Sequence, residues 1–141
     1  MISHRYSVNL KNGNKNKYTV LLCDDEKFII DMYAYRLRTE GYNVVVVESG
    51  DKVIPGILEN KIDIVILDLM MPVKTGFEVL QEFQNPKYAP YRKIPIIVMS
   101  NLGQQCDIDT ARALGAVEYF IKANIIPSEL CEKVLKYIPH T

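Results

Sequence analysis

Ile64-Val65-Ile66-Leu67-Asp68-Leu69-Met70-Met71-Pro72-Val73-Lys74-Thr75-Gly76 is the stretch that decides how this chain reads. A run of branched apolar residues stops abruptly at a carboxylate, Asp68. A turn carrying Pro72 and Gly76 follows, and a helical pattern opens at Phe77. A buried strand has no reason to end in a carboxylate unless that group acts at the strand's C-terminal end. Asp68 is therefore read as a nucleophile.

Working outward, apolar runs alternate with helical patterns five times from Tyr18 onward. The predicted strands are 18–23, 43–48, 62–68, 94–100 and 116–122. They are continuous in Val, Ile and Leu, as expected for strands covered on both faces. The predicted helices are 28–39, 51–60, 76–85, 104–114 and 128–137. The first carries a stripe of Ile29, Met32, Tyr33 and Leu37 and closes on Gly41. The last has Pro127 near its start and Pro139 beyond its end. Such alternation with short links implies right-handed βαβ units and an α/β fold, an open, doubly wound parallel sheet under two helical layers. Residues 85–95, with Pro86, Pro90, Pro95, Tyr88 and Tyr91, read as an extended surface loop. Residues 1–17 are polar and rich in Asn and Lys, and they read as a flexible N-terminal arm. The Asn12-Gly13 hairpin signal is set aside, because the segment after it has the character of a central strand. Only His140 and Thr141 lie beyond the fifth helix and Pro139, so no output domain is expected.

Composition narrows the function classes. The 141 residues are 48% hydrophobic and 24% charged, as in one ordinary globular domain with a proper core. The formal net charge of zero gives no bias toward nucleic acid or an anionic membrane. No run is long enough to span a bilayer, and no signal-peptide core opens the chain. Cys23, Cys106 and Cys131 are odd in number and form no C-x-x-C pair, which fits thiols in a reducing cytoplasm.

In an open α/β sheet, chemistry gathers outside the carboxyl ends of the strands. The first strand ends in Asp24, Asp25 and Glu26, the third in Asp68, the fourth in Ser100 and Asn101, and the fifth in Lys122. Clustered carboxylates repel one another unless a cation intervenes. With no His or Cys among them, hard oxygen ligands suit Mg2+ or Mn2+. Lys122 adds a point charge and Ser100 a hydrogen-bond donor for the oxygens of a transferring phosphoryl group. Asp68 as nucleophile gives an acyl phosphate.

The order Asp-Asp, Asp, Ser, Lys over the strand ends resembles the response-regulator receiver domain of two-component signalling. The likeness runs from about Tyr18 to Ile138, within a domain taken as 18–141. It is carried by Cys-Asp-Asp-Glu, by Leu-Asp-Leu-Met-Met-Pro-Val-Lys-Thr-Gly-Phe-Glu, by Ile-Ile-Val-Met-Ser and by Tyr-Phe-Ile-Lys. The resemblance implies a flavodoxin-like (βα)5 fold with strand order 2-1-3-4-5. It implies that Asp68 is the phosphoacceptor, served by a sensor histidine kinase, a histidine phosphotransfer protein or a small phosphodonor. Asp25 would bind Mg2+ directly and Asp24 through water, with Asp68 and the backbone carbonyl of Met70 completing the protein ligands. Lys122 would pair with the phosphoryl oxygens. Ser100 would swing toward the phosphate while Tyr119 turns inward, remodelling the face of the fourth helix, fifth strand and fifth helix. The implied protein is a stand-alone cytoplasmic signalling domain, neither an enzyme in the ordinary sense nor a DNA-binding protein. It would be a monomer or a weak phosphorylation-linked dimer. The alternative is a degenerate receiver serving as a phosphorylation-independent interaction module.

Three departures from the family pattern stand out. Proline in a cis peptide usually follows the family's lysine, but Ala123 follows Lys122 here. A cis bond before a non-proline residue costs about 3 kcal/mol, so either the fold holds that strain or the loop runs trans and re-aims Lys122. Asn101 stands where a small residue is usual, and its amide is expected to crowd the phosphate entrance. Met70 and Leu102 are apolar and flank the path of a hydrolytic water, which implies slow autodephosphorylation. A haloacid-dehalogenase type of phosphatase would carry its nucleophile after the first strand with a second Asp two residues on, where Met70 follows Asp68. Nucleotide binding lacks its glycine pattern.

Overall fold

The computed structural model describes residues 18–138. The reading of residues 1–17 as an arm lies outside them. The five strands are β1 (Thr19–Cys23), β2 (Asn43–Val47), β3 (Ile64–Leu67), β4 (Ile96–Ser100) and β5 (Glu118–Ile121). They form one parallel sheet in the order β2-β1-β3-β4-β5. The helices are α1 (Lys27–Thr39), α2 (Val53–Glu59), α3 (Gly76–Glu82), α4 (Gln105–Ala113) and α5 (Pro127–Tyr137). This is the flavodoxin-like arrangement expected from the resemblance.

The continuous apolar strands serve two cores at once, because successive side chains leave opposite faces. Leu21, Cys23, Val65, Leu67 and Val98 pack with Val53, Ile57, Leu80 and Ala111 of α2, α3 and α4. Val20, Leu22, Ile64, Ile66, Ile97 and Met99 pack with Tyr33 and Leu37 of α1 and with Leu130 and Val134 of α5. Gly41, at φ 104°, closes α1 as its position in the sequence suggests. The second predicted helix divides into a 3-10 turn (Gly50–Lys52) and α2. Pro55 is tolerated in the first turn of α2, where a backbone N–H has no intrahelical partner.

Residues 85–95 are not an extended loop. Pro86–Tyr91 form a 3-10 helix, with the Asn85 side chain accepting from the Lys87 N–H at 3.0 Å and Pro86 at its start. Tyr88 is buried, its ring stacked on Phe83 at 5.9 Å between centroids. Gln84 and Arg92 brace this turn, Arg92 donating to the Gln84 carbonyl and Gln84 to the Leu114 carbonyl.

The β3–α3 loop is tightly wound. Val73 sits at φ 72°, and the Lys74 N–H donates across it to the Pro72 carbonyl at 2.8 Å, closing a γ-turn. That backbone is unfavourable for a β-branched residue, and Val73 is exposed, so its side chain recovers little by burial. Val73→Asn is expected to stabilise the protein by about 1 kcal/mol, read as a higher denaturation midpoint at unchanged cooperativity. A lower midpoint would show that Val73 makes compensating contacts.

Candidate functional site

The carboxyl edge of the sheet gathers the predicted residues. Asp68 lies one residue past β3, and its backbone N–H continues the ladder by donating to the Cys23 carbonyl at 3.0 Å. Asp24 does the same past β1, donating to the Val47 carbonyl at 3.1 Å. The ladder thus drives both carboxylates to the rim while keeping them buried, Asp24 fully and Asp68 all but 3%. Asp25 is exposed beside them, and one carboxylate oxygen from each of Asp24, Asp25 and Asp68 lies within 4.8 Å of the others.

Lys122, the first residue after β5, is buried with its ammonium inside this cluster. Its Nζ donates to Asp68 Oδ2 at 3.0 Å and to Glu26 Oε1 at 2.5 Å. It stands 2.8 Å from Asp24 Oδ2. Burial alone would lower the Lys122 pKa, but hydrogen bonds to Asp24, Glu26 and Asp68 outweigh it and hold the ammonium above the ordinary lysine range. The Lys122–Ala123 peptide is trans, as are all peptide bonds among the described residues, and Lys122 still reaches Asp68.

Asp24 Oδ1 accepts from the Glu26 N–H at 2.9 Å. Its Oδ2 is buried against the Lys122 ammonium at 2.8 Å. Three carboxylate groups with ligand oxygens within 4.8 Å of one another, two of them buried and none accompanied by His or Cys in the cluster, fit a hard divalent cation. Desolvation raises the Asp24 pKa, with the Lys122 ammonium opposing it. The folded protein therefore holds this proton to higher pH than the unfolded chain does. Asp24 favours folding at low pH, and that contribution is lost as pH rises through the raised value. Asp24→Asn is accordingly expected to stabilise the metal-free protein at neutral pH while removing the stabilisation that added Mg2+ gives. Thermal denaturation with and without Mg2+ checks both signs, and a destabilised metal-free variant would contradict the assignment.

Ser100 ends β4, fully buried, with its Oγ accepting from the Leu102 N–H at 3.3 Å. Tyr119 of β5 is half-buried and donates its hydroxyl to the Leu102 carbonyl at 2.5 Å. Burial raises the Tyr119 pKa, with Asp107 and Asp68 adding to it. Met70 is exposed, and its N–H donates to Asp68 Oδ1 at 3.2 Å.

Two connections escaped the sequence reading. Glu26, seen only as one more acid, is a partner of Lys122 across 96 residues, which no local pattern signals. Asn101 does not direct its carboxamide oxygen into the entrance; that Oδ1 accepts from the Ala123 N–H at 3.1 Å. Two glycines make the rim possible. A Cβ on Gly50 would lie 1.7 Å from the Lys74 carbonyl oxygen, and one on Gly76 would lie 2.5 Å from that of Asp68. The β2–α2 turn and the start of α3 therefore press directly on the loop that shapes the site.

A parallel sheet in this order, with three aspartates, a buried lysine and a buried serine at its carboxyl edge, defines the class of flavodoxin-like domains built around an acidic pocket. The chain belongs to the response regulator receiver domain family, whose model matches residues 20–135. It is 35% identical over 115 residues to Response regulator SaeR of Staphylococcus aureus, a match covering 82% of this chain and 48% of that one. The chain thus spans about half the length of the curated relatives it matches. Among solved structures it resembles chemotaxis response regulator CheY4 of Vibrio cholerae, with 25% identity, a TM-score of 0.76, and 86% and 98% of the two chains covered. It also shares the fold of the BeF3-activated receiver domain of Klebsiella pneumoniae RstA, at 22% identity and a TM-score of 0.76 over 86% and 99% of the chains. Receiver domains are signalling modules of two-component systems that interact with histidine kinases or phosphotransfer proteins, and they bind Mg2+ at an acidic pocket. Among the described residues, no helix is long and apolar enough to cross a membrane.

Proposed function

We propose that this domain accepts a phosphoryl group on Asp68 and signals by phosphorylation-dependent protein contact. The contact of Lys122 Nζ with Asp68 Oδ2, inside a pocket that also holds Asp24 and Asp25, carries the reading. A carboxylate oxygen of Asp68 attacks phosphorus. The P–N bond of a phosphohistidine, or the P–O bond of a small acyl phosphate, breaks with its electron pair leaving on the donor. Asp24, Asp25, Asp68 and the Met70 carbonyl are the groups that would hold Mg2+. When bound, the ion neutralises charge between the carboxylates and the incoming phosphoryl oxygens. Lys122 is already fixed against Asp68 and meets the same oxygens by exchanging one of its carboxylate contacts.

Ser100 and Tyr119 form the switch in this proposal. Ser100 releases the Leu102 N–H that its Oγ accepts and donates its hydroxyl to a phosphoryl oxygen, and Tyr119, tied to the Leu102 carbonyl, moves with that segment. The surface that changes is made of α4, β5 and α5, and it is offered to a protein partner. The proposed phosphodonor is a histidine kinase or a histidine phosphotransfer protein. Incubation with acetyl phosphate and Mg2+ tests the reading by intact mass. A one-phosphate increase in the wild type and none in Asp68→Asn is expected. No increase in the wild type would leave a phosphorylation-independent interaction module, and an increase in both would mean another acceptor.

Met70 and Leu102 place apolar side chains two residues past Asp68 and Ser100. Slow loss of the phosphate is expected, faster when both are made polar in Met70→Asn/Leu102→Gln. A wild-type half-life of seconds that this double change leaves alone would sink the idea.

A further inference from the structure

The carboxamide of Asn101 is the unassigned group closest in sequence to Ser100, and its partner is the residue next to Lys122. Ser100 and Ile121 are the last register pair of the β4–β5 ladder. Beyond them the chain leaves β5 in a 3-10 turn, Lys122–Asn124, whose cap residue Ile121 offers no side-chain acceptor. The first N–H groups of any helical turn need acceptors from outside it. Asn101 Oδ1 supplies one, accepting the Ala123 N–H at 3.1 Å across the end of the sheet. A side-chain oxygen thus adds a further bond where the main-chain ladder has stopped. On the other side of the turn, the Tyr33 hydroxyl donates to the Ile125 carbonyl at 3.0 Å.

We infer that Asn101 is a positioning residue: its bond to Ala123 ties the segment carrying Ser100 to the turn carrying Lys122, so that the two phosphate-facing side chains keep one separation. Beyond the main-chain ladder, three side-chain hydrogen bonds among the described residues hold the Ser100–Leu102 segment. Ser100 Oγ accepts from the Leu102 N–H, Asn101 Oδ1 from the Ala123 N–H, and the Leu102 carbonyl from the Tyr119 hydroxyl. The first is internal to the segment, and the third leads back into β5. Asn101 makes the one bond of the three that reaches the turn of Lys122. Without it, both Ala123 and Asn101 are exposed, and water is the competing partner. The effect on a rate set by the placement of Lys122 and Ser100 is therefore modest, about two- to tenfold. This inference rests on the phosphoacceptor reading for its consequence, though not for the bond itself.

The test uses the full chain, with Asn101→Ala to remove the acceptor and Asn101→Asp to keep an oxygen in the same place. Hydrogen exchange of the Ala123 amide in the metal-free protein reads the bond. It is expected to be about two- to tenfold faster in Asn101→Ala, and restored in Asn101→Asp. The NMR signal of the Lys122 ammonium reads the positioning, and should shift in the alanine variant and return in the aspartate one. The rate of phosphorylation by acetyl phosphate with Mg2+ should fall by a similar factor in Asn101→Ala. Unchanged Ala123 exchange overturns the bond. Faster exchange with an unmoved ammonium signal and an unchanged rate overturns the positioning role. A wild type that takes up no phosphate overturns the Asp68 reading instead, and the exchange and ammonium measurements still decide the role of Asn101.

Discussion

Lys122→Met is expected to destabilise the metal-free protein by about 3 kcal/mol, with Mg2+ restoring a large part of the loss. Lys122 contacts three carboxylates, and two of them, Asp24 and Asp68, are buried. Methionine keeps much of the volume but leaves those two acids with no cation between them. The remedy open to the fold is to bind a divalent ion, so the variant should gain more stability from Mg2+ than the wild type does. The pH dependence follows from the raised Lys122 pKa. The lysine's contribution is complete below the ordinary lysine range and is lost as pH climbs through the raised value, so the variant should lack that alkaline decline. Denaturant titrations with and without Mg2+ measure all of this. A loss well under 1 kcal/mol with equal Mg2+ response in both proteins would mean that the cluster does not depend on its lysine.

Gly76→Ala is expected to cost about 3 kcal/mol and to slow phosphorylation more than the stability loss alone explains. The added methyl meets the Asp68 carbonyl oxygen at 2.5 Å and the Leu69 Cα at 2.7 Å, both backbone atoms that no rotamer change can move. Gly76 also donates its N–H to the Leu69 carbonyl at 3.0 Å, so α3 cannot drift away without losing that bond. The backbone that carries the nucleophile is what must shift. A denaturation midpoint combined with the phosphorylation rate of the still-folded fraction separates the two effects. A wild-type rate per folded molecule would show that Asp68 tolerates the displacement.

Much of this site is legible in the chain itself. The stop of an apolar run at Asp68 marks a strand end because a buried strand excludes ionisable groups, and the same logic finds Asp24, Asp25, Ser100 and Lys122. The order of the strands is not written in periodicity; it follows from family resemblance, and the register now supplies it. The turn at Pro86 was in reach, since Asn85 before a proline is a helix-start signal, but three prolines within eleven residues read as breakers. Glu26 meeting Lys122 and Asn101 meeting Ala123 depend on where loops run after leaving the sheet, which no spacing rule encodes. The positive φ at Val73 is invisible for the opposite reason. A β-branched residue signals extended backbone, whereas here the Pro72 carbonyl accepts from both the Gly50 and the Lys74 N–H groups, with Gly50 lying directly against Lys74.

The most direct measurement is to phosphorylate the protein with acetyl phosphate and Mg2+, reduce the product with borohydride, and sequence the peptides by mass spectrometry. An acyl phosphate on a carboxylate is reduced to the corresponding alcohol, so homoserine is expected at position 68 and at no other aspartate. Homoserine at Asp24 or Asp25, or an intact Asp68 in a protein that has taken up phosphate, would contradict the assignment of Asp68 as the acceptor.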